Sequence, residues 1–136
     1  GAFILLQTGW AQGVIKASID ACNEVEPSLG HVNQYLHNRP DELAAELEEL
    51  QARIGKLAAT PYETDKEHML DVLDVRAQCS ELSLKAAQSA LLHQGARGYL
   101  MKSKPQRLIR ESHFVAIVTP AIKHLRWEMA KLMGEA

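Results

Sequence analysis

The chain of 136 residues carries 15 lysines and arginines against 17 aspartates and glutamates, a formal net charge of −2. At ~100–200 residues per domain, that length makes one domain with enough surface to bury a core. Ala and Leu (18 each) outnumber Val and Ile (14 together) and only 7 residues are aromatic, a balance that favours helix over sheet. The longest apolar run, Ala2–Leu6, is too short to span a bilayer, and 2 cysteines do not make a disulfide framework.

In chain order, the first predicted helix covers residues 3–25. Leu6, Trp10, Val14, Ile15, Ile19, Cys22 and Val25 form its apolar stripe. Pro27 and Gly30 end it, and residues 26–39 read as an irregular connection. Pro40 suits the first position of a second helix, because its missing N–H would be unpaired there anyway. Asp41 and Glu42 favour the positive end of that helix's dipole. Leu43, Leu47, Leu50, Ile54 and Leu57 step by 4, 3, 4 and 3, a heptad seam suited to one helix of a bundle. Thr60-Pro61 stops it.

Thr64-x-x-Glu67 predicts a capping box that opens a third helix running to about Leu92, roughly 40 Å long at 1.5 Å per residue. Its expected inner face is Met69, Val72, Leu73, Arg76, Cys79, Leu82, Ala86, Ala90 and Leu91. His93-Gln94-Gly95 reads as its C-terminal cap. Residues 95–104 form a glycine-containing basic loop, and a short helix follows Pro105. Thr119 as N-cap and Pro120 at the first position predict the last helix, ending near Met133-Gly134.

Charge is unevenly spread. Residues 1–75 hold 5 basic and 13 acidic side chains, whereas residues 76–136 hold 10 basic and 4 acidic. Such asymmetry marks either an anionic partner or two complementary helical faces packed together. Arg97, Lys102, Lys104, Arg107 and Arg110 follow one another with no acidic residue between them. Gly95 and Gly98 allow a close backbone approach to an oxyanion, and arginine forks grip phosphate. The stretch therefore reads as a phosphate or pyrophosphate site, or as a solvated basic face. Nucleic acid is disfavoured, since only Tyr99 and Phe114 lie nearby for stacking and the rest of the chain is acidic.

Other chemistries lack their residues. None of the 6 histidines has Glu three positions before it, as a di-iron carboxylate bundle would need, and each is expected on the surface or at a cap. There is no Cys-x-x-Cys, no His-Glu-x-x-His and no Gly-x-Ser-x-Gly elbow. Glu46, Glu48 and Glu49 read as the solvated face of the second helix, with Glu49 pairing Arg53 at i,i+4. Cys22 and Cys79 lie among apolar neighbours and are expected as buried free thiols in a reducing cytoplasm. A start at Gly1 rather than Met suggests a tag scar or a piece cut from a longer protein, and with no basic segment before the apolar run no signal peptide is expected.

Residues 94–126 resemble the C-terminal helical domain of the flavin-dependent acyl-CoA dehydrogenases. In that family a long helix ends in a Gly-Gly-x-Gly-Tyr/Phe loop, a Pro-containing helix then ends in Arg-Asp, and a Tyr-Glu-Gly-Thr segment leads into the last helix. Gly95-Ala96-Arg97-Gly98-Tyr99 and Arg110-Glu111 match the first two at the family's spacing. Gln12-Gly13 through Asp20-Ala21 are similar to the domain's first helix, and the likeness in helix order covers nearly the whole chain.

The resemblance implies an all-α, up-down-up-down four-helix bundle over residues 1–136. It also implies a FAD and acyl-CoA site in a complete parent, a homo-oligomer (dimer or tetramer), and Gln94, Gly95, Arg97, Gly98 and Tyr99 as cofactor-binding residues. The chain departs from the pattern at three places. Glu26–Gly30 stand where the family has Arg-x-x-Phe-Gly. Leu92 takes the place of a Gln. Thr119 falls where many members carry the catalytic Glu, and the alternative base position falls near Phe3. Abstraction of an α-proton needs a base within hydrogen-bond reach. The chain alone is therefore expected to be inactive, and the competing reading is a stand-alone helical assembly or binding module. Ile4, Leu5, Leu100 and Met101 are the expected interface residues.

Overall fold

The structure is a computed structural model that describes residues 2–135, and these are helical with no strand. Six α-helices follow in order: α1 (Ala2–Glu24), α2 (Glu26–Asn33), α3 (Pro40–Ala58), α4 (Lys66–Gln94), α5 (Lys104–Ile117) and α6 (Ile122–Leu132). A single 3₁₀ turn, Gly95–Tyr99, joins α4 to α5.

The long helix α4 is the common neighbour of α1, α3, α5 and α6. Its buried face carries Val72, Val75, Cys79, Leu82, Ala86, Ala87 and Ala90, whose small side chains bring the other helices close. Ala11, Ile15 and Cys22 of α1, Leu43, Leu47 and Leu50 of α3, and Leu108 and Val115 of α5 complete the main core. A smaller cluster joins Leu73 and Ala77 of α4 to Leu125 and Met129 of α6.

Polar contacts fix the helix directions. Gln7 and Ala21 of α1 meet Arg76 and Gln94 of α4, so these two run parallel. Lys85 pairs Glu46 and Arg53 pairs Asp74, so α3 runs against α4. Arg76 bonds the Val115 carbonyl while Gly98, beyond the end of α4, touches Pro105, so α5 also runs against α4.

Several local expectations are corrected. Residues 26–33 are not irregular but form α2, because Pro27 sits in its first turn and Glu26 meets the dipole's positive end. The cap of α4 is Asp65, not Thr64: its carboxylate accepts the His68 N–H at 2.8 Å, whereas Glu63 receives the Thr64 and Asp65 N–H groups. A carboxylate also suits the N-terminal dipole better than a hydroxyl does. Thr119 does not cap α6. Ala121 precedes its first turn, and Thr119-Pro120 is a cis peptide outside the helix.

The segment after Pro105 is a 14-residue helix rather than a short one, capped by Ser103, whose hydroxyl accepts the Gln106 N–H at 3.3 Å. Leu6 and Trp10 leave the apolar stripe of α1 and face solvent. The i,i+4 pair expected for Glu49 does not form, because Arg53 reaches across to Asp74 at 3.0 Å.

Candidate functional site

Of the predicted cofactor- and phosphate-binding residues, Gln94, Gly95, Arg97, Gly98 and Tyr99 lie together where α4 ends, whereas Arg107 and Arg110 lie within α5. Gly95 terminates the helix with φ +67°, a conformation that strains any residue with a Cβ, and its N–H bonds the Leu91 carbonyl. The chain then tightens into the 3₁₀ turn. Gly98 is buried there, and a Cβ on it would stand 3.1–3.2 Å from Gln94 Cβ, Leu91 Cδ1 and Pro105 Cγ. The Ser103 hydroxyl donates to the Gly98 carbonyl, linking the turn to the start of α5. Together these contacts hold Arg97 and Tyr99 outward, and both are exposed.

Gln94 does not point outward with them. Its amide donates to the Ala21 carbonyl at 3.0 Å and to Glu24 Oε2 at 3.3 Å, so it ties α4 to the end of α1. The basic run is also partly neutralised. Lys104 pairs Glu24 at 3.2 Å and Arg107 pairs Glu111 at 3.2 Å. Among the described residues Arg97, Lys102 and Arg110 make no ion pair. Arg97 and Lys102 thus stand free on an exposed loop, with Tyr99, Leu100 and Met101 also exposed, while Arg110 lies six residues into α5, about 9 Å along it from Lys104.

Thr119 lies at the other end of α5. Its carbonyl accepts a 2.9 Å bond from Gln7 Nε2, and its side chain is exposed. Residues 112–122 contain no carboxylate. The His113 Nδ1 is engaged by the Ile109 carbonyl at 2.8 Å within its own helix.

Behind Thr119, Gln7 also meets the largest fully buried side chain among the described residues. Arg76 is fully buried: Nη2 donates to the Val115 carbonyl at 3.1 Å, Nε to Gln7 Oε1 at 3.5 Å, and Nη1 to the Ser80 hydroxyl. None of these partners is a carboxylate. Desolvation lowers its pKa from the usual arginine range.

A second polar cluster, absent from the sequence expectations, sits beneath α2. His93 is buried rather than superficial. Its Nδ1 lies 2.8 Å from the Ser89 carbonyl, and its Nε2 lies 3.1 Å from Arg39 Nη1. A carbonyl only accepts and a guanidinium only donates, so Nδ1 carries the proton and Nε2 accepts. Arg39 also pairs Glu26 at 2.7 Å, and Asn33 donates to the His93 carbonyl at 3.0 Å. Ser89 donates to the Asn38 carbonyl at 2.6 Å. The one clue in the sequence was Ser89 and His93 at i,i+4 just before the helix end.

Cys22 and Cys79 are buried free thiols, as expected. Burial pushes each up from 9.0 to about 11, against smaller opposing effects of Ser89 and Arg39 on Cys22 and of Arg76 and Arg53 on Cys79. Neither suits a nucleophile, which needs a thiolate at neutral pH. Among the described residues no group of three or more His, Cys, Asp and Glu side chains is placed to hold a metal, and no helix is long and apolar enough to cross a membrane. The groove between α3 and α4 is lined by Glu46, Glu81, Lys85 and Arg126, whose charges pair with one another. Comparison with protein families, curated proteins and solved structures returns no match to this chain.

Proposed function

We propose that the chain is the helical domain of an acyl-CoA dehydrogenase-like flavoprotein, serving assembly and offering a phosphate-binding loop in a complete parent. The observation that carries this reading is the Gly95–Tyr99 turn, where a left-handed glycine and a glycine on which a Cβ would crowd Gln94, Leu91 and Pro105 hold Arg97 outward. Unpaired Arg97, Lys102 and Arg110 fit the anionic diphosphate of FAD, which supplies redox chemistry when bound. The directions of α1, α3, α4 and α5 favour an up-down-up-down four-helix bundle, with α6 as an addition. Thr119 is exposed and residues 112–122 hold no Asp or Glu, which supports a chain that is inactive by itself.

Titration calorimetry with inorganic pyrophosphate tests the loop. Binding near the millimolar range is expected, with loss in Arg97→Ala. Purification of the full-length parent without flavin absorbance sinks the cofactor part.

A second reading, an assembly module that has lost any flavin role, is favoured by Gln94. Its amide is spent on Ala21 and Glu24 of the same chain. The reading frame upstream of Gly1 separates the two: a long extension with helical and β character favours the flavoprotein, and a start codon at residue 1 favours the module.

A further inference from the structure

One face of the molecule is apolar and exposed, with a single charged side chain, Arg110, four residues before Phe114 at its α5 edge. Phe3, Leu6 and Trp10 of α1 are 68%, 76% and 50% exposed, and Phe114 and Ile117 of α5 are 57% and 70% exposed. Spacings of three and four residues put each set on one side of its helix. The Trp10 and Phe114 rings tilt against each other with centroids 6.5 Å apart, so the two sets make one continuous surface. Together they expose on the order of 500–600 Å², reaching the upper end of the largest patches on typical monomers. That is about two thirds of the ~800 Å² per partner in a stable interface. Gly9 and Gly13 are exposed on α1 beside Leu6 and Trp10, and a Cβ on either would meet nothing within 4 Å. Neighbouring surface is therefore open to close approach by another helix.

We infer that this α1/α5 face docks a second copy of the same chain about a two-fold axis. Charge selects the occupant. Residues 1–15 hold no Asp, Glu, Lys or Arg, nor do residues 112–122. With one cation, Arg110, at its edge, such a surface has little with which to choose a nucleic acid, an anionic lipid or an acidic peptide. Its α1 half can meet its own copy without like-charge repulsion, as a self-complementary interface requires, while the single Arg110 stays at the α5 edge. The exposed Leu100 and Met101 differ. Unpaired Arg97 and Lys102 flank them, and self-pairing there would bring like charges together. The inference deepens the assembly part of the proposed function and is independent of the flavin part.

Sedimentation velocity of the 136-residue chain from about 1 to 100 μM tests it. A concentration-dependent dimer is expected. Leu6→Glu and Phe114→Glu should each weaken it by at least about 100-fold, whereas Met101→Glu should leave it within about twofold. Far-UV circular dichroism checks that the helices persist, and Ile117→Lys replaces any variant that loses them. A monomer throughout the range overturns the proposal. So does a dimer indifferent to Leu6→Glu and Phe114→Glu, or one lost only on Met101→Glu. Pyrophosphate binding is measured on the same samples, so failure of the interface and failure of the phosphate loop are read separately.

Discussion

Arg76→Ala is the sharpest test of how this core is held. The guanidinium is fully buried and serves three acceptors, on α5 (Val115 O), α1 (Gln7 Oε1) and its own helix (Ser80). Truncation leaves the Val115 carbonyl and the Gln7 amide oxygen without a donor, at about 1–3 kcal/mol each. It also leaves a cavity the size of a long side chain, for which core truncations cost about 2–5 kcal/mol. Partial collapse and entry of water reduce the sum, so about 4 kcal/mol is expected, against a total stability of about 5–15 kcal/mol. Arg76→Met keeps most of the volume and removes a charge that has no carboxylate to offset its desolvation. It should therefore cost about 1–2 kcal/mol less than the alanine variant. Urea unfolding followed by far-UV circular dichroism measures both. A loss below about 1 kcal/mol for Arg76→Ala, or Met no better than Ala, would refute the argument that acceptor satisfaction and packing fix this residue.

Three further expectations concern local features. Asp65→Ala should cost about 1 kcal/mol and Thr64→Ala only a few tenths in the same urea assay, because Asp65 accepts the His68 N–H. Gly98→Ala should cost about 1–3 kcal/mol by crowding Gln94, Leu91 and Pro105, and a neutral result would mean the turn moves freely. Cys22 and Cys79 have folded-state pKa values of about 11, above their ordinary 9.0. The folded state therefore prefers the protonated thiols. Their contribution is fully present below about pH 9 and is lost as pH rises through about pH 11. The unfolding midpoint should fall over that window, and it should fall less in Cys22→Ala and Cys79→Ala. An equal decline in all three proteins would exclude the thiols as its cause.

Much of the fold was legible because periodicity is a local property. The heptad step from Leu43 to Leu50 gave α3, and Pro40 gave its start. Small residues at 86 and 90 gave the packed face of α4, to which the structure adds Ala87. Boundaries failed where two residues competed for one role, as Thr64 and Asp65 did for a cap. Exposure failed where an apolar stripe was wider than its neighbours could cover. Leu6 and Trp10 keep helical spacing with the core residues, but α5 reaches only one side of them. The residues of the Gly95–Tyr99 turn were readable as neighbours, and the structure gathers them where α4 ends. It was silent in sequence that Glu24 would neutralise Lys104 and draw Gln94 inward, since that pairing spans 80 residues. The buried Arg39–His93 contact was hidden for the same reason, with 54 residues between its partners.

The uneven sharing of α4 has a consequence for how the molecule opens. α1, α3 and α5 contribute to the main core, whereas Leu125 and Met129 of α6 belong to the smaller cluster. The outer flank of α6 adds ion pairs from Arg126 to Glu81 and Asp74, which are half-exposed and screened by salt. Detaching α6 therefore uncovers a limited apolar patch and leaves the main core closed. The chain is built in two tiers of cooperativity, a body that unfolds as a unit and a C-terminal helix that opens from it at lower free energy.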